Sequence, residues 1–348
     1  MAQVPQDDNP NAPVFLQQFS GLVNTRSEER LGPSDLAVAK NIDIDDVMQV
    51  HRRRGRTQKS SASWHSLHTA KNGNVYGVRG GDFGRIYTDY SFESLQDNVG
   101  PDKLAYVEVN DVLYANSRTT GFKMKLLHDE VEDWGGLDGN GQWWSPVIQP
   151  TETLGEVAGK LLRNPPRAEF MTYFNGRIYM GIEGVVWATE LYQYDYVDAT
   201  RTYMPIEGRL TGLHAVTDGI FIGTSKGTFF CRGNFGEMKM TRVLPDAVVP
   251  GSMILGNPED FPDTNANTRA CTLFLTEGGL CVGFDGGVCK NLTSEKFWFP
   301  NAASASAFNR VQDGTSQYIG VVDSGGSPAS SARIGDYVEA EIRRFQGA

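Results

Sequence analysis

The segment GTSKG, residues 223–227, matches the G-x-S-x-G pattern in which a serine hydroxyl acts as a nucleophile. That chemistry needs a strand before the serine and a helix after it, because the turn between them exposes the hydroxyl at the head of the helix. The residues that follow, TFFC at 228–231, have the composition of a strand. The segment therefore predicts a hairpin turn between two strands, and no catalytic serine is expected in it.

The acidic segment 41–46 resembles the oxygen ligands of a calcium-binding loop. Such a loop needs glycine at its sixth position and glutamate at its twelfth, where this chain has Asp46 and Arg52. The alternation of Ile42 and Ile44 with polar residues favours an exposed strand edge instead. The histidines show no metal-ligand spacing, and the four cysteines contain no CxxC pair. No metal site and no cofactor is predicted.

Two of the cysteines, Cys281 and Cys289, lie on opposite sides of a Gly-rich turn and could face each other across a hairpin. Buried free thiols are more common in a protein that is made inside a cell. The sequence leaves both arrangements open, with free thiols as the expectation.

The one concentrated charge feature is the run HRRRGR, residues 51–56, in a chain whose formal net charge is −10. Arginine forks match the geometry of carboxylates and phosphates, so this run predicts docking onto an acidic protein surface or onto DNA phosphates; a solvated loop is the alternative. Two adjacent tryptophans on a polar, Gly-rich segment form a second candidate interface, because neighbouring strand residues face opposite sides and one ring can stay available. The interface candidates are Arg52, Arg53, Arg54, Arg56, Trp143 and Trp144.

The elements that must position these residues are short strands joined by tight turns. Glycine is enriched, at 39 of 348 residues, and the chain contains 13 Tyr, 18 Phe and 6 Trp, which together are typical of a turn-rich β protein. Six alternating apolar–polar stretches run into a turn of the Asn-Gly or Asp-Gly kind and then resume, as a β-hairpin does. The six turns are Asn72-Gly73, Asn110-Asp111, Asn175-Gly176, Asp218-Gly219, Gly278-Gly279 and Asp313-Gly314.

The spacing of these turns predicts an all-β fold, a β-propeller of about five to seven blades. Successive turns lie 38, 65, 43, 60 and 35 residues apart, and a four-stranded blade takes about 40–50 residues. The two long steps contain insertions, at about 126–166 and about 234–267. A β-sandwich with a helical insertion is the competing architecture.

Residues 1–60 are expected to form an N-terminal arm and docking segment, and residues 61–348 the propeller. Within the first insertion, apolar residues between 154 and 162 follow helical spacing, and a capping box and a Pro-Pro pair bound them, which predicts a helix. Near the C-terminus, alternation over residues 338–343 predicts a strand. We expect this strand to close the ring by pairing with a blade that contains N-terminal strands.

Several turns carry the Asp-Gly element of the Asp-boxes found in propeller glycosidases such as sialidases, S-x-D-x-G-x-x-W. None of them has the upstream serine and the downstream tryptophan together. The sequence shows no nucleophile–base pair and no convergent carboxylate pair either, so the chain is not expected to be an enzyme. A cluster of Arg, Tyr and carboxylate side chains at one mouth of the ring would favour the alternative, a glycan-binding or glycan-cleaving propeller.

The charge balance and the apolar runs restrict the possible environments. With 32 basic and 42 acidic side chains, the mean field of the surface repels phosphates and excludes general binding to nucleic acids or anionic membranes. No apolar run approaches the ~18 residues of a membrane span, and the N-terminus lacks a basic start and an apolar core. We expect synthesis in the cytoplasm and no membrane span.

Four patches near the N-terminus follow a recognisable order: FSGLVNT at 19–25, LGPSDLA at 31–37, AKNID at 39–43 and RRG at 53–55. They resemble the opening of virion proteins from tailed bacteriophages, with its F-x-G-L-N start, its D-x-A-x-x-x-N-v-d segment and its R-R-G close. Two later stretches, 174–187 and 209–228, resemble the propeller blades of the same proteins.

The resemblance is greatest to the nozzle, or tail-hub, propellers of short-tailed phages, and it implies a structural role in the virion tail. It implies a ring of copies of the chain, a hexamer by family, below the portal and adaptor. That ring would retain and conduct the genome without specific DNA binding and would carry fibres or a tail needle. A neck or tail-tip protein of a long-tailed phage is the alternative position, and a bacterial scaffold propeller is a further hypothesis.

Overall fold

The computed structural model consists almost wholly of β-strands, as the hairpin pattern predicts. It describes residues 19–38, 42–44, 49–52, 57–135, 161–261, 269–293, 296, 298, 302–312, 315–323 and 337–342. The helical elements in this part of the chain are three single 3-10 turns, at Glu28–Arg30, Pro258–Asp260 and Asp285–Gly287. No helix among these residues has the length and apolar character that crossing a membrane requires.

Four short strands precede the blades and form two small sheets. The first sheet is the parallel pair β1 (Gly21–Leu22) and β2 (Asp35–Leu36), and the second is the antiparallel pair β3 (Ile42–Ile44) and β4 (Val50–Arg52). The side chain of Asn24 bonds both main-chain groups of Trp298, each at 2.8 Å. The start of the chain is thereby attached to the connection that leads into the last blade.

Five sheets with four antiparallel strands each follow one another along the chain. The first two blades are β5 (Trp64–Thr69), β6 (Val75–Arg79), β7 (Asp82–Ile86) and β8 (Phe92–Gln96), then β9 (Ala105–Val109), β10 (Val112–Asn116), β11 (Gly121–Lys125) and β12 (Glu130–Asp133). A short strand, β13 (Leu162–Arg163), precedes the third blade, which contains β14 (Phe170–Phe174), β15 (Arg177–Ile182), β16 (Val185–Ala188) and, after β17 (Val197–Asp198), β18 (Tyr203–Pro205).

The last three blades complete the ring. The fourth contains β19 (Leu210–Val216), β20 (Gly219–Thr224), β21 (Gly227–Arg232) and β22 (Lys239–Leu244). The fifth contains β23 (Ile254–Gly256), β24 (Cys271–Thr276), β25 (Gly279–Phe284) and β26 (Val288–Asn291), and the sixth has three strands, β27 (Ser304–Gln312), β28 (Thr315–Asp323) and β29 (Tyr337–Ile342). The innermost strands of all six sheets line one central cavity. The prediction of an all-β propeller is therefore confirmed, and the described residues form six blades.

The hydrophobic core is divided among the interfaces between neighbouring blades. Apolar clusters join the first blade to the second, the second to the third, the third to the fourth, the fourth to the fifth and the fifth to the sixth. Glycines allow the sheets to approach at two of these interfaces. A Cβ on Gly181 would lie 2.1 Å from a methyl of Leu210, and one on Gly283 would lie 2.7 Å from the ring of Phe221. Close packing of this kind makes the blades a single stiff body.

Most of the predicted turns join the first strand of a blade to the second. At Asn110-Asp111 both residues have positive φ, 50° and 60°, and at Asn175-Gly176 the values are 44° and 77°, as a type I′ turn requires. Gly278-Gly279 is different, because it joins the second strand of the fifth blade to the third. The residues at Asp313-Gly314 lie outside the described part of the chain. The GTSKG segment is a strand–turn–strand hairpin between β20 and β21, as predicted.

Parts of both predicted insertions are blade strands instead. The acidic run at Glu130–Asp133 is β12, where Lys125 on the adjacent strand pairs with Glu130 at 3.1 Å and also with Glu132. These cross-strand ion pairs stabilise the acidic residues on the edge strand of the sheet. In the second segment, β22 completes the fourth blade and β23 begins the fifth.

The end of the predicted helix is also a strand. Leu162 and Arg163 form β13, which pairs with β17, and the Leu162 side chain is buried. Tertiary pairing with β17 overrides the helical spacing there, because it buries the leucine and satisfies the main chain. Residues 136–160, which include the rest of the predicted helix, lie outside the described part of the chain.

The C-terminal strand forms within the predicted stretch, but its partner differs from the prediction. β29 pairs with β28, with Val338 opposite Gly320, and so completes the sixth sheet. The described N-terminal strands pair among themselves. A strand that follows soon after β28 closes a short loop, and this costs less conformational entropy than a return to the far end of the chain.

Candidate functional site

The central cavity is the candidate site, since all six innermost strands contribute to its wall. Its volume is about 930 Å³, within the range of small-molecule pockets, about 300–1,000 Å³. Charged side chains gather at the end of the cavity where the innermost strands begin. They lie on the connections that lead into these strands or on the turns between the second and third strands of a blade. We call this end of the cavity the mouth.

Four charged residues at the mouth bind one another across three blades. Arg118 of the second blade bonds Glu169 of the third, and its other nitrogen lies 2.9 Å from Glu183. Arg209, which leads into the fourth blade, lies 3.7 Å from Glu169 and 4.0 Å from Glu183. Both arginines thus face both glutamates, and the cluster is neutral as a whole. We call it the mouth cluster.

Lys103, on the connection into the second blade, is a further charged residue of the mouth. Its Nζ donates to the carbonyl of Ala305 at 3.3 Å and to the hydroxyl of Ser306 at 3.2 Å, both on the innermost strand of the sixth blade. Its neighbour Asp102 accepts a hydrogen bond of 2.9 Å from the hydroxyl of Thr119. The Lys103 contacts thus connect the start of the second blade to the sixth blade.

The wall below the mouth is mainly apolar, with two histidines. Leu67 is 64% exposed and Leu255 61% exposed, although both line the cavity. His214 also lines it, and burial lowers the pKa of His214 to about 4, so the ring is neutral near pH 7. Its Nδ1 atom is buried and has no hydrogen-bond partner in the described part of the chain.

The second histidine, His68, is engaged with the second blade. Its Nε2 lies 2.6 Å from a carboxylate oxygen of Glu108, and its ring stacks on Tyr106 at 4.9 Å. The other oxygen of Glu108 accepts a bond of 3.0 Å from the main-chain amide of Lys71. The pair joins two blades, and both carboxylate oxygens of Glu108 are bound to protein groups.

Tyr106 is the tyrosine of the cavity wall, and its hydroxyl is occupied as well. It donates to the carbonyl of Ser66 at 2.8 Å, and burial raises its pKa far above the ordinary value. A phenol in this state does not ionise near neutral pH. Tyr106 is therefore poorly suited to act as a nucleophile.

One of the predicted interface residues, Arg52, belongs to the part of the chain that the structure describes. Arg52 lies at the end of β4 with an exposed side chain, outside the blades. Arg53, Arg54, Arg56, Trp143 and Trp144 lie outside the described residues.

The cysteine and metal predictions concern residues away from the mouth. Cys281 lies opposite Asn291 and Cys289 opposite Gly283 in the same strand pair, and both are free thiols. Burial raises the pKa of Cys281 to about 11 and that of Cys289 to about 12. No group of three or more metal-ligating side chains occurs among the residues that the structure describes.

Sequence reasoning missed the mouth cluster. Each of its members stands just before an innermost strand or in a turn between second and third strands. These are corresponding positions of successive blades, so a residue-by-residue alignment of the repeats could have brought them together. Most of the predicted hairpin turns lie at the other end of the blades, so they give no signal for the residues of the mouth cluster.

The fold and its mouth define a class: an all-β, six-bladed propeller with a central cavity. No family model matches the sequence, and no curated protein matches it. Among solved structures, BBS1N in complex with ARL6DN is similar with a TM-score of 0.48 and 9% identity, over 88% of this chain and 87% of that one. Virginiamycin B lyase from Staphylococcus aureus gives 0.42 and 10%, over 80% of this chain and 84% of that one.

The extracellular domain of the two-component system BT4673 from B. thetaiotaomicron is a third similar structure. It gives a TM-score of 0.45 and 13% identity, over 74% of this chain. The chain spans about a third of the length of the BT4673 structures, 30% and 35%. Similarities of this size assign no activity to the chain.

Proposed function

We propose that this chain is a non-catalytic structural component of a bacteriophage tail, a nozzle- or hub-type propeller. It forms a ring of its own copies below the portal and adaptor, helps to retain and conduct the genome, and holds fibres or a needle. The order of the N-terminal patches supports this role, through their resemblance to virion proteins. A neck or tail-tip position in a long-tailed phage follows from the same resemblance.

The observation that carries the proposal is the engagement of the charged side chains of the mouth cluster, of Lys103 and of the Tyr106 hydroxyl. The arginines and glutamates of the mouth cluster bind each other, Lys103 binds the sixth blade, and the Tyr106 hydroxyl binds Ser66. Catalysis needs a group that is free to meet the substrate. Side chains that are engaged in contacts between blades favour a structural role for the protein over a catalytic one.

The charge of the chain supports passage of DNA without adhesion. A net charge of −10 repels phosphates, and non-specific DNA binding depends mainly on neutralising them. The basic run at 51–56 is the exception, and we propose it as a contact with an acidic surface of a neighbouring tail protein.

The proposal is tested on particles from a strain that carries the gene. Density-purified virions are digested, and this chain is quantified by mass spectrometry against the portal protein. We expect several copies of the chain per particle, and loss of infectivity when a nonsense codon is placed in the gene. Purified infectious particles without the chain would contradict the proposal.

A second candidate, a glycan-binding or glycan-cleaving propeller, is favoured by one observation. Arg118, Arg209 and Glu169 do converge at one mouth of the ring, with Tyr106 deeper in the cavity. The occupied hydroxyl of Tyr106 argues against cleavage through a tyrosine nucleophile. Release of reducing sugar from host surface polysaccharide by the purified chain, abolished in Tyr106→Phe, would favour this candidate over the structural one.

A further inference from the structure

A second site lies at the end of the third blade away from the mouth, around the Asn175-Gly176 turn. Five exposed side chains surround this turn, and we call them the tyrosine–amide patch: Tyr173, Asn175, Leu191, Tyr192 and Asn234. None of them belongs to the cavity.

Tyr192 is the most exposed member of the patch and is held in an unusual backbone conformation. Its side chain is 71% exposed, and its φ is +57°, a left-handed value that a bulky residue adopts only under constraint. Its main-chain amide donates to the carbonyl of Gly176 at 2.8 Å. A Cβ on Gly176 would lie 2.8 Å from the tyrosine ring and 2.9 Å from Leu191. The turn thus fixes the ring and leaves it open to solvent.

A buried layer supports the patch from below. Tyr173 packs edge-on against Tyr194 at 6.1 Å, and the carbonyl of Tyr194 accepts a bond of 2.9 Å from the indole of Trp134. Tyr194 and Trp134 are both buried. A rigid base of this kind lowers the entropy cost of binding a ligand on top of it.

Two amides lie at the same turn as the exposed ring, since Asn175 adjoins Gly176 and bonds Asn234. Asn175 Nδ2 donates to Asn234 Oδ1 at 3.1 Å. Each amide has two N–H groups and one oxygen with two lone pairs, so the pair keeps both donor and acceptor capacity toward solvent. The patch itself carries no ionised side chain. The nearby carboxylate of Asp195 is bound to Lys123 at 2.9 Å, and the nearby guanidinium of Arg177 donates to the carbonyl of Thr189 and lies over the ring of Phe235.

We infer that the tyrosine–amide patch binds a neutral saccharide. A pyranose ring presents polarised C–H groups that are attracted to the negative face of an aromatic ring. Its neighbouring hydroxyls act as both donors and acceptors, which the two amides match. The lack of charge disfavours phosphates and other anions. The few exposed apolar side chains are also too small an area for a stable protein interface, which takes about 800 Å² per partner.

The experiment titrates the full chain with maltotriose, cellotriose and N-acetylchitotriose, using calorimetry and ligand-observed saturation-transfer NMR. We expect at least one of them to bind with a dissociation constant below about 10 mM. Tyr192→Ala should weaken this binding about tenfold, and Asn234→Ala about threefold, because they remove the stacking face and one amide. Tyr192→Phe keeps the stacking face and should stay within about twofold of the wild type.

The matched control is Tyr90, which is also exposed, at 52%, and also has a left-handed φ, +67°. Tyr90→Ala should leave saccharide binding unchanged. Tyr192→Gly separates loss of the ring from loss of the fold, since glycine accepts the positive φ without strain. It should lose binding while its unfolding temperature stays equal to or above that of the wild type.

Three results would overturn the inference. One is that none of the three saccharides binds at about 10 mM. Another is that Tyr192→Ala binds as the wild type does. The third is that the patch mediates self-association, seen as a concentration-dependent mass in sedimentation that Tyr192→Ala abolishes, with no effect on saccharides.

Discussion

The interface between the fourth and fifth blades and the one between the sixth and first are built differently. At the former, Phe221, Phe230 and Phe274 are buried. Main-chain amides there also bond carboxylates of the neighbouring blade, from Thr217 to Asp285 at 2.8 Å and from Gly286 to Asp218 at 2.9 Å. At the latter, no apolar cluster of described residues joins the blades, and the nearest polar contact to the sixth blade comes from Lys103, on the connection between the first and second blades.

The sixth and first blades also expose large apolar side chains. Phe308 of the sixth blade is 55% exposed, and Leu67 of the first, which lines the cavity, is 64% exposed. Because burial of apolar area is the main source of cohesion, the ring is not equally strong around its circumference. We therefore expect local opening to begin between the sixth and first blades.

The largest effect is expected for Phe221, in the buried cluster between the fourth and fifth blades, and it is compared with the effect for the exposed Phe308 of the sixth blade. Phe221→Ala should lower the free energy of unfolding by about 3–5 kcal/mol, since it leaves a cavity in a fully buried cluster. Phe308→Ala should lower it by less than about 1 kcal/mol, since the ring is mostly in water. Urea denaturation measures both. Equal losses in the free energy of unfolding for the two variants would contradict this difference in packing between Phe221 and Phe308.

The second effect is a pH dependence of stability that arises from His214 in the fourth blade. His214 has a pKa of about 4 when folded and about 6.5 when unfolded, so the unfolded chain binds the proton more tightly. Stability should fall as the pH drops from 6.5 toward 4, by about 2 kcal/mol between pH 7 and pH 5. His214→Gln should remove this part of the dependence, and His128→Gln, at an exposed position, should not. Urea titrations of the wild type and of both variants at the two pH values measure this difference in the free energy of unfolding.

The third effect concerns the close approach of the third and fourth blades. Gly181→Ala places a methyl against Leu210 and should cost about 1–3 kcal/mol. In the Leu210→Ala background the same substitution should cost much less, because the opposing methyl is gone. A double-mutant cycle measures the coupling. Additive losses would mean that Gly181 does not limit the distance between these blades.

The smallest effects are expected from the charged residues that link blades at the mouth. Arg118→Met and Lys103→Met should each change the free energy of unfolding by less than about 1 kcal/mol, since both contacts are partly exposed to water. Denaturation by urea, at low and at high salt, is again the measurement. A loss above about 2 kcal/mol for Lys103→Met would show that this one contact holds the ring closed.

The hairpin turns allowed the fold class to be predicted from the sequence, because Asn-Gly and Asp-Gly prescribe local backbone geometry. Gly278-Gly279 is also a hairpin turn, as predicted, but it joins the second and third strands of its blade. The composition of a turn therefore does not give its position within a blade. The prediction of a helix failed at Leu162, since pairing with a distant strand overrode its helical spacing.

The candidate sites depend on residues far apart in the sequence, and this is why they were not predicted. Arg118, Glu169 and Arg209 come from three consecutive blades, and only the packing of these blades brings them together. Asn175 and Asn234 meet across the third and fourth blades in the same way. Among the predicted interface residues, Arg52 is exposed at the end of β4, and its role as a contact stays a prediction.

The central claim, a six-bladed propeller that serves as a passive ring in a phage tail, is tested most directly by electron cryo-microscopy of purified particles. The reconstruction should show several copies of this propeller arranged around the tail axis below the portal, with the six sheets resolved in each copy. Particles whose tails contain no such propeller, while the chain remains in the soluble fraction of the lysate, would contradict it.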